Sequence, residues 1–165
     1  MTLANIQRDD FDGQGKLARD HGPVDLAGVV VELAEKQAAW NKDAADGAAG
    51  TATAEHAVFR NRTHALKVLG VTYIPDAALT GHDTNFATII VRRRTALGAD
   101  GGIVATQTTK LTGGSGTWVA FVPVAIPLAA PVNVDLAAGQ SLTVEIAKAA
   151  AGVAVPAGSL LIALS

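Results

Sequence analysis

The chain contains no cysteine. Disulfides, thiolate metal sites and cysteine nucleophiles are thereby excluded, which removes several enzyme classes. Aromatic residues make up only 4% of the 165 positions, so Ala, Val, Leu and Ile must fill whatever core forms. An excess of one charge is also missing. The formal balance of −2 gives no general attraction to nucleic acid or to an anionic membrane, and neither is expected as a partner. No run approaches about 18 uninterrupted apolar residues, so no membrane span is expected. The first residues, MTLANIQRDDFDGQGK, are polar and acidic, unlike the basic end and apolar stretch of a signal peptide.

What is present points to a folded domain with an appendage. The apolar fraction is 49%, enough for a core at this length. Residues 1–50 hold five basic and nine acidic side chains, a net of −4, whereas residues 51–165 hold eight and six, a net of +2. The break falls in DAADGAAGTATA, a small-residue stretch that reads as a linker over 42–53. Residues 1–22 show no sustained period and are expected as an extended arm. Residues 23–41 are expected as a short amphipathic helix: Leu26, Val30, Leu33, Gln37 and Trp40 are spaced four, three, four and three apart, a single helical stripe. Asp25 is placed to cap it. The triplet Val29-Val30-Val31 favours the rival reading, a strand, because β-branched side chains lose rotamer freedom in a helix.

From residue 54 the period changes to two. Strands are predicted at Glu55–Arg60, Ala65–Ile74, Phe86–Arg94, Ile103–Lys110, Thr117–Ile126, Pro131–Asp135, Ser141–Lys148 and Ser159–Leu164. The stretches between them (PDAALTGHDTN, LGADGG, LTGGSG, LAAGQ and VPAGS) carry turn-forming residues. Eight strands over 54–165, with no helix long enough for a parallel crossover, imply an all-β, eight-stranded antiparallel β-sandwich. Eight is also the jelly-roll number. The polar interruption after Ile74 is too long for a tight hairpin and suits a chain crossing between two sheets.

No catalytic constellation emerges. His82-Asp83 resembles a base with its orienting acid, but adjacent residues rarely face each other, and no serine sits in a nucleophile elbow. His56 and His64 lack an evident third metal ligand. DDFDGQG and GADGG lack the ligand spacing of a calcium loop, and GGSG is not followed by the Lys-Ser or Lys-Thr of a phosphate cradle. The strand-resident acids Glu55, Asp135 and Glu145 leave little for carboxylate catalysis. No enzyme activity, cofactor or metal is expected.

Arg92-Arg93-Arg94 is the densest charge. On a strand, Arg92 and Arg94 project together and Arg93 points the other way. A solvated strand end that discourages edge pairing competes here with an ion pair to a protein partner; base-stacking aromatics are missing nearby. Trp118 is expected in the core. Trp40 would be an exposed docking residue if the stripe stands alone, or buried if it folds back on the sandwich. The candidate partner interface is therefore Leu26, Val30, Leu33, Trp40, Arg92 and Arg94.

The stretches ALKVLGVTYIPDAALTGHDTNFATIIVRRR and VNVDLAAGQSLTVEIAKAAAGVAVPAGSLLIAL resemble small virion proteins of tailed bacteriophages, jelly-roll proteins that decorate heads or form fibre-like projections. The resemblance covers roughly Glu55 to Ser165. It implies a non-enzymatic protein on the capsid exterior, attached to the major capsid protein lattice through its N-terminal region and sandwich edges and assembled as a homo-oligomer, often a trimer. A receptor- or glycan-binding head or tail fibre module is the alternative.

Overall fold

Alternation of buried and more exposed residues builds the strands of this protein. In Ser141–Lys148, Leu142, Val144 and Ile146 turn to the core while Ser141 and Glu145 stay partly in solvent. In Gly158–Leu164, Leu160, Ile162 and Leu164 do the same. Each fully buried side chain of this size contributes about 1.5–3 kcal/mol, so many aliphatics replace the missing aromatics. The computed structural model describes residues 36–42, 54–129 and 134–165.

Nine strands are present among these residues: β1 (Lys36–Lys42), β2 (Ala54–Arg60), β3 (Leu66–Pro75), β4 (Ala87–Arg94), β5 (Asp100–Thr108), β6 (Val124–Ala125), β7 (Asp135–Leu136), β8 (Ser141–Lys148) and β9 (Gly158–Leu164). One sheet has the order β1-β9-β3-β6, with β7 also paired to β3; the other has the order β2-β8-β4-β5. Every pairing is antiparallel. Buried residues of β3 and β9 (Val68, Val71, Tyr73, Leu160, Ile162) and of β4 and β8 (Ile89, Val91, Leu142, Val144) belong to one core cluster, as expected of a β-sandwich.

The crossing expected after Ile74 is present: β3 ends at Pro75 in the first sheet and β4 begins at Ala87 in the second. The β4–β5 connection, Thr95 to Ala99, is closed by the Thr95 amide on the Ala99 carbonyl and the Gly98 amide on the Thr95 carbonyl, both 2.9 Å. Gly98 sits there at φ 86, a conformation that costs glycine nothing.

Three expectations change. The helix expected over 23–41 gives way, at its C-terminal end, to strand β1, which pairs along its whole length with β9 from Lys36↔Leu164 to Lys42↔Gly158. Within it Ala38 and Lys42 are buried and Gln37, Ala39 and Asn41 exposed, a period of two. Seven ladder positions with β9 satisfy this segment's backbone, which a short helix of marginal intrinsic stability would have to outweigh. Residues 23–35 of that helix, the arm over 1–22 and residues 43–53 of the linker lie outside the described residues. Secondly, the strand expected over Thr117–Ile126 does not run through. Phe121 has φ 61, which breaks the extended backbone, leaving the short β6 and an isolated bridge between Leu79 and Trp118. Lastly, of the strand expected at Pro131–Asp135, residues 131–133 lie outside the described residues; Val134 accepts the Val68 amide, and Asp135 begins the short β7, which pairs Leu136 with Leu66 of β3.

Candidate functional site

The arginine triplet ends β4, and the strand period splits it as the sequence implies. Arg92 and Arg94 share the outer face of the four-stranded sheet. Arg92 Nε donates to Glu145 Oε2 at 2.8 Å, and its Nη1 reaches Asp100 Oδ2 at 3.4 Å. Arg94 binds Glu55 with two nitrogens, Nε to Oε1 at 2.7 Å and Nη2 to Oε2. The Thr143 hydroxyl donates to Glu55 Oε1 at 2.6 Å. Glu55 and Glu145 are direct cross-strand neighbours of β2 and β8, so without the two guanidinium groups like charges would meet. Arg93 instead turns to backbone, donating to the carbonyls of Gly101 (Nη2, 2.7 Å) and Asp135 (Nη1, 2.8 Å). The triplet thus ties β2, β8, β4 and β5 together within the chain.

The hydrogen bonds from Arg94 and then Thr143 hold the Glu55 carboxyl below its usual value, and the same pair raises Arg94. Asp100 is lowered chiefly by the Gly102 amide, and Asp83 by the Thr112 amide. A carboxyl lowered by folding adds stability above its unfolded value, and that stability is lost as pH falls through the folded value. The melting temperature should therefore hold on acidification to about pH 4, the ordinary carboxyl range, and decline below it. Glu55→Gln should make that decline shallower in a pH series of thermal melts. At pH 7 it should cost about 0.5–1 kcal/mol, since the pair is partly exposed.

The histidines are used locally. His82 Nδ1 accepts the amides of Thr84 and Asn85, each at 3.0 Å. Asp83 accepts from the Thr112 amide at 2.7 Å and its hydroxyl at 3.1 Å, joining the β3–β4 and β5–β6 connections. The two side chains serve different turns instead of forming an acid–base pair. His56 on β2 stacks on Trp40 of β1, with ring centroids 5.4 Å apart, and His64 Nδ1 lies 2.8 Å from Thr63 Oγ1. Among the described residues no three His, Asp or Glu side chains are grouped to hold a metal.

Trp40 is half-buried against the core of its own sandwich, while Leu26, Val30 and Leu33 lie outside the described residues. Trp118 is buried beside Tyr73, with centroids 5.6 Å apart, and its Nε1 donates to Ser115 Oγ at 2.7 Å. The Tyr73 hydroxyl donates to the Pro156 carbonyl at 2.6 Å.

The exposed apolar residues lie elsewhere. Phe121 is 72% exposed, with Val119 at 61% and Val122 at 49%. Phe121 also holds a positive φ, which for a bulky residue costs on the order of 1–3 kcal/mol. Its amide is fixed on the Pro75 carbonyl at 2.7 Å. Periodicity assigned this segment to a strand, so it escaped notice. The available signal was charge: Leu111 to Val134 contains no Asp, Glu, Lys or Arg.

No sequence family and no curated protein matches the chain. A similar chain occurs in the structure of infectious bursal disease virus Gx strain, with 14% identity and a TM-score of 0.36 over 79% of this chain and 32% of that one. The present chain spans about a third of that neighbour's length, and a likeness this loose carries no argument.

Proposed function

We propose that this chain is a non-enzymatic structural protein of a tailed-bacteriophage virion, decorating or cementing the capsid exterior. The observation that carries this is the strand order. The order β1-β9-β3-β6 in one sheet and β2-β8-β4-β5 in the other, with β7 added at the end of β3, supports reading the sandwich as a jelly roll, and jelly rolls serve as capsid and lectin domains. Fold alone does not assign function; the motifs PDAALTG and AAGQSLTVEI supply the resemblance that favours the virion. The proposed partner is the major capsid protein lattice, bound through the N-terminal region and the sandwich edges, with several copies acting together so that weak contacts add. Arg92 and Arg94 are engaged inside the sheet, which shifts the weight of attachment to residues preceding β1.

Purified protein should add to phage heads that lack it, and a chain without residues 1–34 should not. The cut belongs before Glu35, where the chain divides into two units; removing residues through Gly50 would also take away β1 and confound attachment with folding. Head binding is read by co-sedimentation, with an unchanged melting temperature confirming the sandwich. Full binding by the shortened chain would show that attachment does not use this region. The exposed Phe121 favours the fibre-module alternative in one respect, since sugars stack on aromatic faces. Glycan-array binding without head binding would establish it.

A further inference from the structure

Most cationic side chains among the described residues are engaged within the chain. Arg92 and Arg94 pair with Glu145 and Glu55, and Arg93 holds the Gly101 and Asp135 carbonyls. Lys42 donates to the Val155 carbonyl, Lys110 lies 4.4 Å from the Phe86 ring centroid, and Lys148 is buried. Lys67 on β3 stands opposite Asp135 on β7. Arg60 and Arg62 differ from all of these. Both are exposed, and neither side chain makes an ion pair or a hydrogen bond among the described residues. The acids of the neighbouring strands are taken: Glu55 by Arg94, Asp100 by Arg92. Glu35 and Lys36, before and at the start of β1, are of opposite sign.

The residue between the two arginines is held in place. Asn61 is 2% exposed. Its Nδ2 donates to the carbonyls of His64 and Leu136, its amide donates to the Gln140 carbonyl at 2.9 Å, and its carbonyl accepts the Gly139 amide at 2.9 Å. A buried amide side chain is tolerated when it is satisfied in this way. The backbone that carries Arg60 and Arg62 is thereby tied to the turn before β8, and Arg60 itself lies opposite Ser141 at the start of that strand.

We propose that Arg60 and Arg62 form a docking point for the carboxylates of an acidic protein surface. A guanidinium presents a planar fork that matches a carboxylate, and this chain already uses that match between Arg94 and Glu55. Fixing the backbone beforehand lowers the ordering cost of binding. A nucleic acid fits less well. The formal charge of −2 supplies no long-range attraction to phosphates, and the adjoining aromatic, Phe59, packs against the core instead of offering a base a stacking platform. On the virion reading, the acidic surface belongs to the capsid lattice. That identity rests on the reading, whereas the carboxylate site does not.

Titrating the isotope-labelled full chain with a hexaglutamate peptide at about 20 mM salt, where screening is weak, should move the Arg60 and Arg62 Nε–H signals to saturation. Those of Arg92, Arg93 and Arg94 should stay in place. Arg60→Gln combined with Arg62→Gln should weaken the peptide about three- to tenfold at an unchanged melting temperature. Arg60→Lys combined with Arg62→Lys should restore part of the loss, because an ammonium lacks the fork. No binding, shifts spread evenly over the arginines, an unweakened Gln variant, or tighter binding of a six-nucleotide oligothymidylate than of the peptide would each overturn the proposal. In co-sedimentation, Arg60→Glu combined with Arg62→Glu should lower head binding of the full chain by about tenfold. Peptide binding by a chain that binds no heads would keep the arginine site and overturn the virion reading. Head binding without peptide binding would do the reverse.

Discussion

Trp118→Ala should lower stability by about 3–5 kcal/mol, the usual cost of truncating a buried large aromatic. Trp118 is the largest fully buried side chain among the described residues, and it sits where the sandwich is irregular. Its backbone exchanges two hydrogen bonds with Leu79, at 2.8 and 3.1 Å, and its ring packs on Tyr73. Tyr73, the large side chain beside it, is held by its hydroxyl on the Pro156 carbonyl, which opposes its moving into the space. Denaturant titration should therefore show an earlier midpoint, and the melting temperature should fall by roughly 6–20 °C for a chain of this length. Trp118→Phe separates volume from polarity. It keeps most of the packing, loses the bond to Ser115, and should cost only about 1–2 kcal/mol. Equal losses in the two variants would show that the cavity is not the cause.

Gly158→Ala is expected to be nearly as severe, although it adds a single methyl group. Gly158 opens β9 and lies between Lys42 of β1 and Pro75 of β3. A Cβ built there would stand 2.3 Å from the Ile74 carbonyl oxygen and 2.9 Å from the Tyr73 hydroxyl. The obstacle is backbone inside a ladder, so β9 or β3 must shift. Overpacking of this kind costs about 3 kcal/mol, and the thermal midpoint should drop by roughly 6–12 °C. Gly70→Ala is the control. Gly70 lies on the same sheet with nothing within 4 Å of its added Cβ, and its substitution should leave the midpoint within a few degrees.

That contrast shows what a single sequence can and cannot carry. Ser141–Lys148 is legible to the residue because Leu142, Val144 and Ile146 alternate cleanly ahead of the buried Lys148 that ends the strand, and β2, β3, β4 and β9 follow within a position or so. The strand β1 was hidden by Lys42, a charged residue in an inward row whose ammonium is satisfied by a carbonyl 113 positions away. Its period of two therefore reads as an interruption, while Leu26, Leu33 and Trp40 suggest a longer one. The segment Thr117–Ile126 misleads for the opposite reason: its alternation is clean, but Phe121 departs from extended backbone. For the arginines, the division between Arg92, Arg94 and Arg93 follows from pleating alone. Their partners Glu55 and Glu145 come from β2 and β8, 39 and 53 residues away, and only the sheet order brings them together.

The place of β9 also governs the order in which the protein can be built. β1 has its ladder with β9 alone among the described strands, yet more than a hundred residues separate Lys42 from Gly158. On a ribosome, β1 emerges early and waits without a partner until residues 158–164 have been translated and threaded in between β1 and β3. Such distant pairings make for slow folding. Throughout that interval β1 and β3 present open strand edges, the kind of surface at which incompletely folded chains aggregate.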